Sequence, residues 1–298
     1  MTPAFDEFGY LDEEAAEVGA TPPHAPVHRA ETAAPGGRVS SLVWGDEPGM
    51  TLIHGAGLNA HTWDATLLAF GRPAIAVDLP GHGDSEWRDD FDYSAERNAT
   101  AVAAVIDEHA AGRPQIVVGQ SLGGATAAAL AAQRPELVRA AVLVDISPGL
   151  TADDATQVRD FLAGPLVFGS RDEIVEAALA AGIGSDRRKL ERGVVLNTRV
   201  RDDGSVVFKH HLAAPPPGAR PPHDFTALWA PLESGDFPVL LVRGTHGFLA
   251  QARVDEFRTR IPRAQLVELD AGHNVQEQQP AALAAAIDGF LEGAAIAP

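Results

Sequence analysis

From residue 38 onward, short apolar runs rich in β-branched residues alternate with stretches of helical length. The runs fall at 38–44, 50–53, 73–78, 115–119, 140–146, 238–243 and 265–269. Several are apolar throughout, which a strand tolerates only when both faces of its sheet are covered. Helical stretches lie between them at 94–109, 122–134 and 280–291, the last opened by a proline at its first turn. This alternation predicts a doubly wound α/β fold around a mostly parallel sheet. At 298 residues the chain is long enough to bury the core of one large domain of that kind.

The rhythm breaks near residue 150 and resumes near 236. The segment between mixes helical pieces (151–162 and 172–181) with a hairpin signal, 194–200 and 206–210 joined through Asp203-Gly204, and ends in the proline-rich 215–222. It holds 10 basic and 12 acidic side chains, so it is nearly neutral in a chain of net charge −18, and it contains both lysines, Lys189 and Lys209. We read 150–235 as a lid inserted over the C-terminal edge of the sheet, where open α/β folds bind ligands. Residues 38–149 and 236–298 form the core. Residues 1–37 read as an acidic, proline-rich extension: a short helix over 6–18, then an extended linker over 21–37.

Composition narrows the function. A net charge of −18 opposes binding to phosphate backbones and anionic lipid, so nucleic acid and membrane surfaces are poor partners. The absence of cysteine removes disulfides, thiol catalysis and thiolate metal sites. No apolar run is long enough to span a bilayer, and the acidic start is unlike a secretory signal, so a soluble cytoplasmic protein without stable membrane insertion is expected. No pattern points to an interface, which leaves the oligomeric state open.

Three strings carry chemistry. The first is Gly119-Gln120-Ser121-Leu122-Gly123-Gly124, placed between an apolar strand and a small-residue helix. A serine on a sharp strand-to-helix turn needs glycines around it, and the turn lifts Oγ to the helix N-terminus, where a developing anion is favoured. The second is His54-Gly55-Ala56-Gly57 at a strand end. Its backbone N–H groups, with that of Leu122, could hold an oxyanion; Ala56 and Leu122 are the expected donors, with Gly57 as the substitute for Ala56. His54 itself reads as a structural hydrogen-bonder. The third is His273, the only histidine on the loop between the last strand and the last helix, at the sheet edge that carries the serine. An imidazole there suits a general base for Ser121.

With Asp78-Leu-Pro-Gly-His-Gly-Asp-Ser85, these strings resemble the α/β-hydrolase family over about residues 38–293. Within it the chain is similar to actinobacterial, mycobacterial-type serine ester hydrolases, on His54-Gly-Ala-Gly-Leu-Asn-Ala-His-Thr-Trp63, Val142-Leu-Val-Asp-Ile-Ser-Pro148, the Asp203-Gly204 hairpin and Leu241-Val-Arg-Gly244. The resemblance implies an eight-stranded sheet, a lid, no cofactor and no metal. It also implies a chain order of serine, acid, histidine, which Ser121, Asp145 and His273 follow. The sequence departs from the commonest pattern at the acid. The loop after 238–243 reads Thr245-His246-Gly247-Phe248-Leu249, with no carboxylate before Asp255. Asp145, at the end of the strand before the lid, takes an alternative family position; Asp255 or Glu256 would be the substitutes.

Other residues read more plainly. His246 reads as a solvated loop side chain, His82 and Asp84 as parts of a turn network, and adjacent His210 and His211 as pointing to opposite faces of a hairpin rather than to a metal. Phe161, Leu162, Leu166, Val167 and Phe168 form lid core or line an acyl chain. The reading is thus a serine hydrolase of small-molecule carboxylic esters with short to medium apolar acyl chains. A carbon–carbon bond hydrolase of dienone acids, also serine-based, is the alternative, and a non-catalytic α/β-hydrolase-like binding protein is the reading from another class.

Overall fold

The computed structural model of the chain describes residues 5–150, 164–165, 167–184, 186–212 and 225–296. Its centre is an eight-stranded sheet built from β1 (Val27–Ala34), β2 (Gly37–Trp44), β3 (Met50–Ile53), β4 (Ala74–Val77), β5 (Gln115–Gln120), β6 (Val138–Val144), β9 (Val239–Gly244) and β10 (Gln265–Leu269). A separate hairpin supplies β7 (Thr198–Val200) and β8 (Val206–Phe208). The sheet order is β1-β2-β4-β3-β5-β6-β9-β10, with β2 antiparallel to both its neighbours and every other pairing parallel. The central strands β3, β4 and β5 are buried along their whole length, and apart from Thr51, Gln115 and Gln120 their residues are apolar.

Helices cover both faces. The apolar cluster on one face packs α3 (Ala95–His109) and α4 (Leu122–Gln133) against β5 and β6. The cluster on the other packs α2 (Asp64–Phe70) and a long C-terminal helix (Pro280–Gly293). Helix α3 begins where Ser94 accepts a hydrogen bond from Arg97 N, an ordinary N-cap.

The N-terminal segment departs from the expectation of a linker. Residues 27–34 pair with β2 in antiparallel register from Val27 opposite Trp44 to Ala34 opposite Gly37, and complete the sheet. The strand hides in the sequence because Val-His-Arg-Ala-Glu-Thr-Ala-Ala has one β-branched aliphatic residue and a half-exposed face, as an edge strand can afford. Pro35-Gly36, read as the end of the extended linker, is the tight turn of that hairpin, with Gly36 and the first residue of β2, Gly37, at φ 100° and 133°. The expected helix is real but shorter, α1 (Leu11–Val18).

The insertion after β6 contains α5 (Arg171–Ala180), α6 (Arg187–Leu196) and the β7–β8 hairpin. These pieces share a small apolar core of Ile174, Val175, Val194 and Val206, with Phe168 and Phe208 packed on it. Residues 194–196, expected in the hairpin, instead form the last turn of α6, which starts at Asp186, accepting from Arg188 N and Lys189 N, and ends at Asn197. Phe168 belongs to this core, in edge contact with Phe208, while Val167 is exposed. The expected helix at 151–162, Phe161, Leu162, Leu166 and the stretch 215–222 lie outside the described residues.

Charge ties these parts together. Lys209 of the insertion pairs with Asp84 of the core at 3.0 Å. Arg192 of α6 is buried against α1, within 3.0 Å of Glu14 and of Glu17 and 3.4 Å of Glu13. Burial pushes the Glu14 carboxyl up to about 8, so near neutrality Glu17 and Glu13 carry most of the negative charge facing this guanidinium. Arg192→Ala would strand those acids, and should lower the unfolding free energy by roughly 3 kcal/mol. Arg188, itself exposed and paired with half-buried Glu13, should tolerate alanine with little change. Urea unfolding of the two variants tests the contrast.

Candidate active site

Strand β5 ends at Gln120, and Ser121 follows in a strained conformation at φ 52°, ψ −118° before α4 begins. Such a turn leaves no room for side chains beside it. A Cβ on Gly119 would stand 2.2 Å from the Gly123 carbonyl oxygen, and one on Gly123 would stand 2.0 Å from that of Ile53. The glycines therefore let strand, turn and helix approach at van der Waals distance, and α4 starts directly under the serine.

The next strand, β6, ends one position before Asp145, which also has positive φ, at 49°. Asp145 is fully buried. Its Oδ1 accepts from Gly244 N at 3.1 Å, and its Oδ2 accepts from Phe248 N at 2.9 Å and lies 2.8 Å from His273 Nδ1. The end of β9 and the loop that lacks a carboxylate thus each supply a backbone donor to Asp145. Gly247 is needed there because a Cβ would stand 2.2 Å from Asp145 Oδ2. Phe248 also stacks on the His273 ring, at 3.9 Å between centroids and 22° between planes. The substitute acids are elsewhere: Asp255 accepts from Gln251 at 2.9 Å and Glu256 pairs with Arg253 at 3.4 Å.

Ser121 and His273 line one cavity of about 430 Å³. They make no hydrogen bond to each other among the described residues; catalytic pairs often stand long or misaligned in a resting enzyme and tighten around substrate. Gln120 Nε2 donates to the His273 carbonyl at 3.2 Å and fixes that loop against the serine turn. Ala56 and Gly57 line the same cavity. Among the described residues, the backbone N–H groups of Ala56, Gly57 and Leu122 donate to no protein acceptor, which leaves all three available to an oxyanion. Asn197 Nδ2 donates to Gly57 O at 2.5 Å and so anchors this turn to the insertion.

The cavity wall opposite the serine comes from the insertion: Ile174, Leu190, Val194, Leu196 and Phe208. Of the stretch 161–168, read as lid core or acyl wall, Phe168 packs in the core of the insertion, and Phe161, Leu162 and Leu166 lie outside the described residues. Sequence reasoning missed Gly247, Phe248, Gln120 and Asn197. Gly247 and Phe248 could have been found by asking what would hold a buried carboxylate at 145; nothing local marked Asn197.

The remaining histidines sort by partner. His54 is buried, bonded to Gly55 O at 2.7 Å and to Leu79 N at 3.0 Å, a structural role as expected. His246 is exposed beside Asp270 at 3.0 Å. Asp84 N and Ala60 N both donate to buried Asp78, which also pairs with Arg29 at 2.7 Å. His82 bonds the Pro80 carbonyl, in line with a turn network. His210 and His211 do point apart: His211 stacks on Trp87, and His210 is buried against Phe208. Among the described residues no cluster of three or more His, Asp or Glu could hold a metal ion, and no helix is long and apolar enough to cross a membrane.

Burial lowers the basicity of His54 and His82, with neighbouring imidazoles adding to the effect at His82, and takes His210 down to about 4. Each group is depressed in the folded state. The stability it contributes is therefore fully present above pH 6.5, the ordinary histidine value, and is lost as pH falls through the folded value. The melting temperature should fall steadily between pH 6.5 and pH 4, and His210→Phe should flatten that slope by close to one proton's worth.

A serine on a strained strand-to-helix turn, backed by an imidazole and a buried acid at one sheet edge, defines a class. The alpha/beta hydrolase family profile matches residues 52–286, and the chain belongs to that family. Particular relatives are close. The chain is 38% identical over 298 residues to esterase Rv0045c of Mycobacterium tuberculosis, covering 96% of each. The crystal structure of that esterase superposes with a TM-score of 0.82 at 37% identity, over 98% of this chain and 100% of the other. Lipase LipV of the same organism is 28% identical over 253 residues, covering 80% of this chain and 91% of the lipase.

Proposed function

We propose that the protein is a serine hydrolase that cleaves small-molecule carboxylic esters through an acyl-enzyme. The observation that carries this reading is the 2.8 Å contact from His273 Nδ1 to buried Asp145, with Ser121 and the His273 ring facing one cavity. The esterase activity named for the relative of 38% identity supports it.

In this reading His273 Nε2 takes the proton of Ser121 Oγ as the oxygen attacks the ester carbonyl. Asp145 holds the proton on Nδ1, which keeps Nε2 free as the base and steadies the imidazolium that follows. The N–H groups of Leu122 and of Ala56 or Gly57 receive the oxyanion. His273 then protonates the departing alcohol, and water, deprotonated by the same ring, releases the acid. The insertion, residues 150–235, acts as a lid, and its apolar wall suits short to medium acyl chains in a cavity of about 430 Å³.

A fluorophosphonate probe tests the reading directly. One equivalent should couple to the protein, at Ser121 by peptide mapping, and an ester panel of graded chain length should turn over while a dienone acid run beside it does not. An intact protein that takes up no probe would be a binding module, and cleavage of the dienone acid alone would move the enzyme to carbon–carbon chemistry.

A further inference from the structure

Among the described residues, one cation of the cavity wall has no acid beside it. Lys189, in the first turn of α6, is half-buried and lines the cavity that holds Ser121 and His273. Its Nζ donates to the Glu277 carbonyl at 3.2 Å and pairs with no carboxylate among the described residues. The other cations on the wall are matched. Arg192 meets Glu14 and Glu17, and His61 meets Asp64 at 2.7 Å and Glu7 at 3.2 Å. The second lysine of the chain, Lys209, pairs with Asp84.

The acids on the same wall are engaged elsewhere. Glu277 accepts from Thr62 Oγ1 at 2.6 Å and from Asn274 Nδ2 at 3.2 Å. Asp186 accepts from Arg188 N and Lys189 N, and Asp270 lies 3.0 Å from His246. Burial pushes the Glu277 carboxyl up, as it does that of Glu14, which weakens the negative field at this end of the cavity near neutrality. An ammonium carries three N–H donors, and the Glu277 carbonyl takes one of them. In a chain of net charge −18, this lysine makes one place where an anion is attracted although the molecule as a whole repels it.

We infer that Lys189 is a specificity-determining residue that binds a carboxylate carried by the ester substrate. The enzyme on this account selects esters with one acidic end over neutral ones of equal size. The inference rests on the ester-hydrolase reading and adds a substrate class to it. Leu190 and Val194, on the same helix and the same wall, carry the methylenes between the acid and the ester. A single negative charge suits the site better than a phosphate dianion, whose second charge meets the repulsion of the whole chain. A hydrogen bond between ions inside a cavity is also stronger than the same pair on an open surface.

The competing role is structural. Glu277 lies four residues after His273, in the short helix Val275–Gln278, so the Lys189 bond could serve only to tether α6 to the histidine loop.

Matched ester pairs, each a carboxylic acid and its primary amide, separate the two roles, because the members of a pair differ in charge and hardly in size. One arm places the group on the acyl half, as methyl hydrogen dicarboxylates of graded length. The other places it on the alcohol half, as butyrate esters of hydroxy acids of graded length. Each kcat/KM is divided by the rate of hydroxide-catalysed hydrolysis of the same ester. In one arm, at one length, the full-length enzyme should prefer the acid by roughly 10–100-fold, chiefly through KM, and added salt should shrink the preference. Lys189→Gln keeps a donor for the Glu277 carbonyl without the charge, and should abolish the preference. Lys189→Arg should retain most of it. Equal losses on both members of each pair in Lys189→Gln would mean tethering alone and overturn the proposal. Hydrolysis by the unaltered enzyme with no preference for the acid in either arm would overturn it too, with no variant required, and would leave the ester reading standing. Failure to hydrolyse any ester would bring down both.

Discussion

Ser121→Ala is expected to lower kcat for ester hydrolysis by on the order of 10⁶, leaving only the residue of rate enhancement that oxyanion donors and binding provide. The fold should survive the change. Ser121 occupies φ 52° with its N–H bonded to the Val144 carbonyl at 3.1 Å, and alanine keeps both the backbone bond and the strain. Glycine does not pay that strain, so Ser121→Gly should be more stable than either by about 1 kcal/mol, and equally inactive. Steady-state rates on a short p-nitrophenyl ester, with thermal melts of all three proteins, measure both halves. Residual activity in Ser121→Ala above about a thousandth of the original, a threshold set well above what a triad knockout leaves, would assign the nucleophile elsewhere.

Asp145→Asn should cut turnover by on the order of 10³–10⁴. Two effects act together. An amide at 145 can offer N–H to His273 Nδ1 and so favours the tautomer with its proton on Nε2, which cannot accept from Ser121. An amide also has one oxygen where the carboxylate uses two, Oδ1 for Gly244 N and Oδ2 for Phe248 N and His273. One backbone donor is then stranded, at a cost of about 1–3 kcal/mol in stability. Asp255→Asn, on an exposed helix and away from His273, should leave turnover within a factor of a few. Turnover near that of the unaltered enzyme in Asp145→Asn, with loss in Asp255→Asn, would reverse the assignment.

The sheet was legible where burial forces apolar monotony. Strands β3, β4 and β5 lie between helices on both faces, and their sequences leave no other use for four to six consecutive buried residues. Strand β1 was not legible, because an edge strand answers to one partner and one wet face, and its charged residues Arg29 and Glu31 look like those of a tether. Helix α6 was hidden for a related reason: Arg187-Arg188-Lys189-Leu190-Glu191-Arg192 has few apolar positions, and what holds it is charge on α1, with Glu17 175 residues before Arg192 in sequence. At the site, Ser121 and His273 were readable from their local strings. Asp145 needed the chain order as well as its place at a strand end. Its backbone donors come from Gly244 and Phe248, a hundred residues on, and only the fold joins them.

The first thirty-odd residues touch the fixed and the inserted parts of the protein at once. Through Val27–Ala34 they finish the sheet, and through Glu13, Glu14 and Glu17 they grip α6, whose far end forms part of the cavity wall. Trimming this segment for convenience in expression would therefore do two kinds of damage. It would bare β2 as a raw margin that invites another chain to add on, and it would take from the inserted helix α6, which walls the cavity holding Ser121, its charged partners on α1.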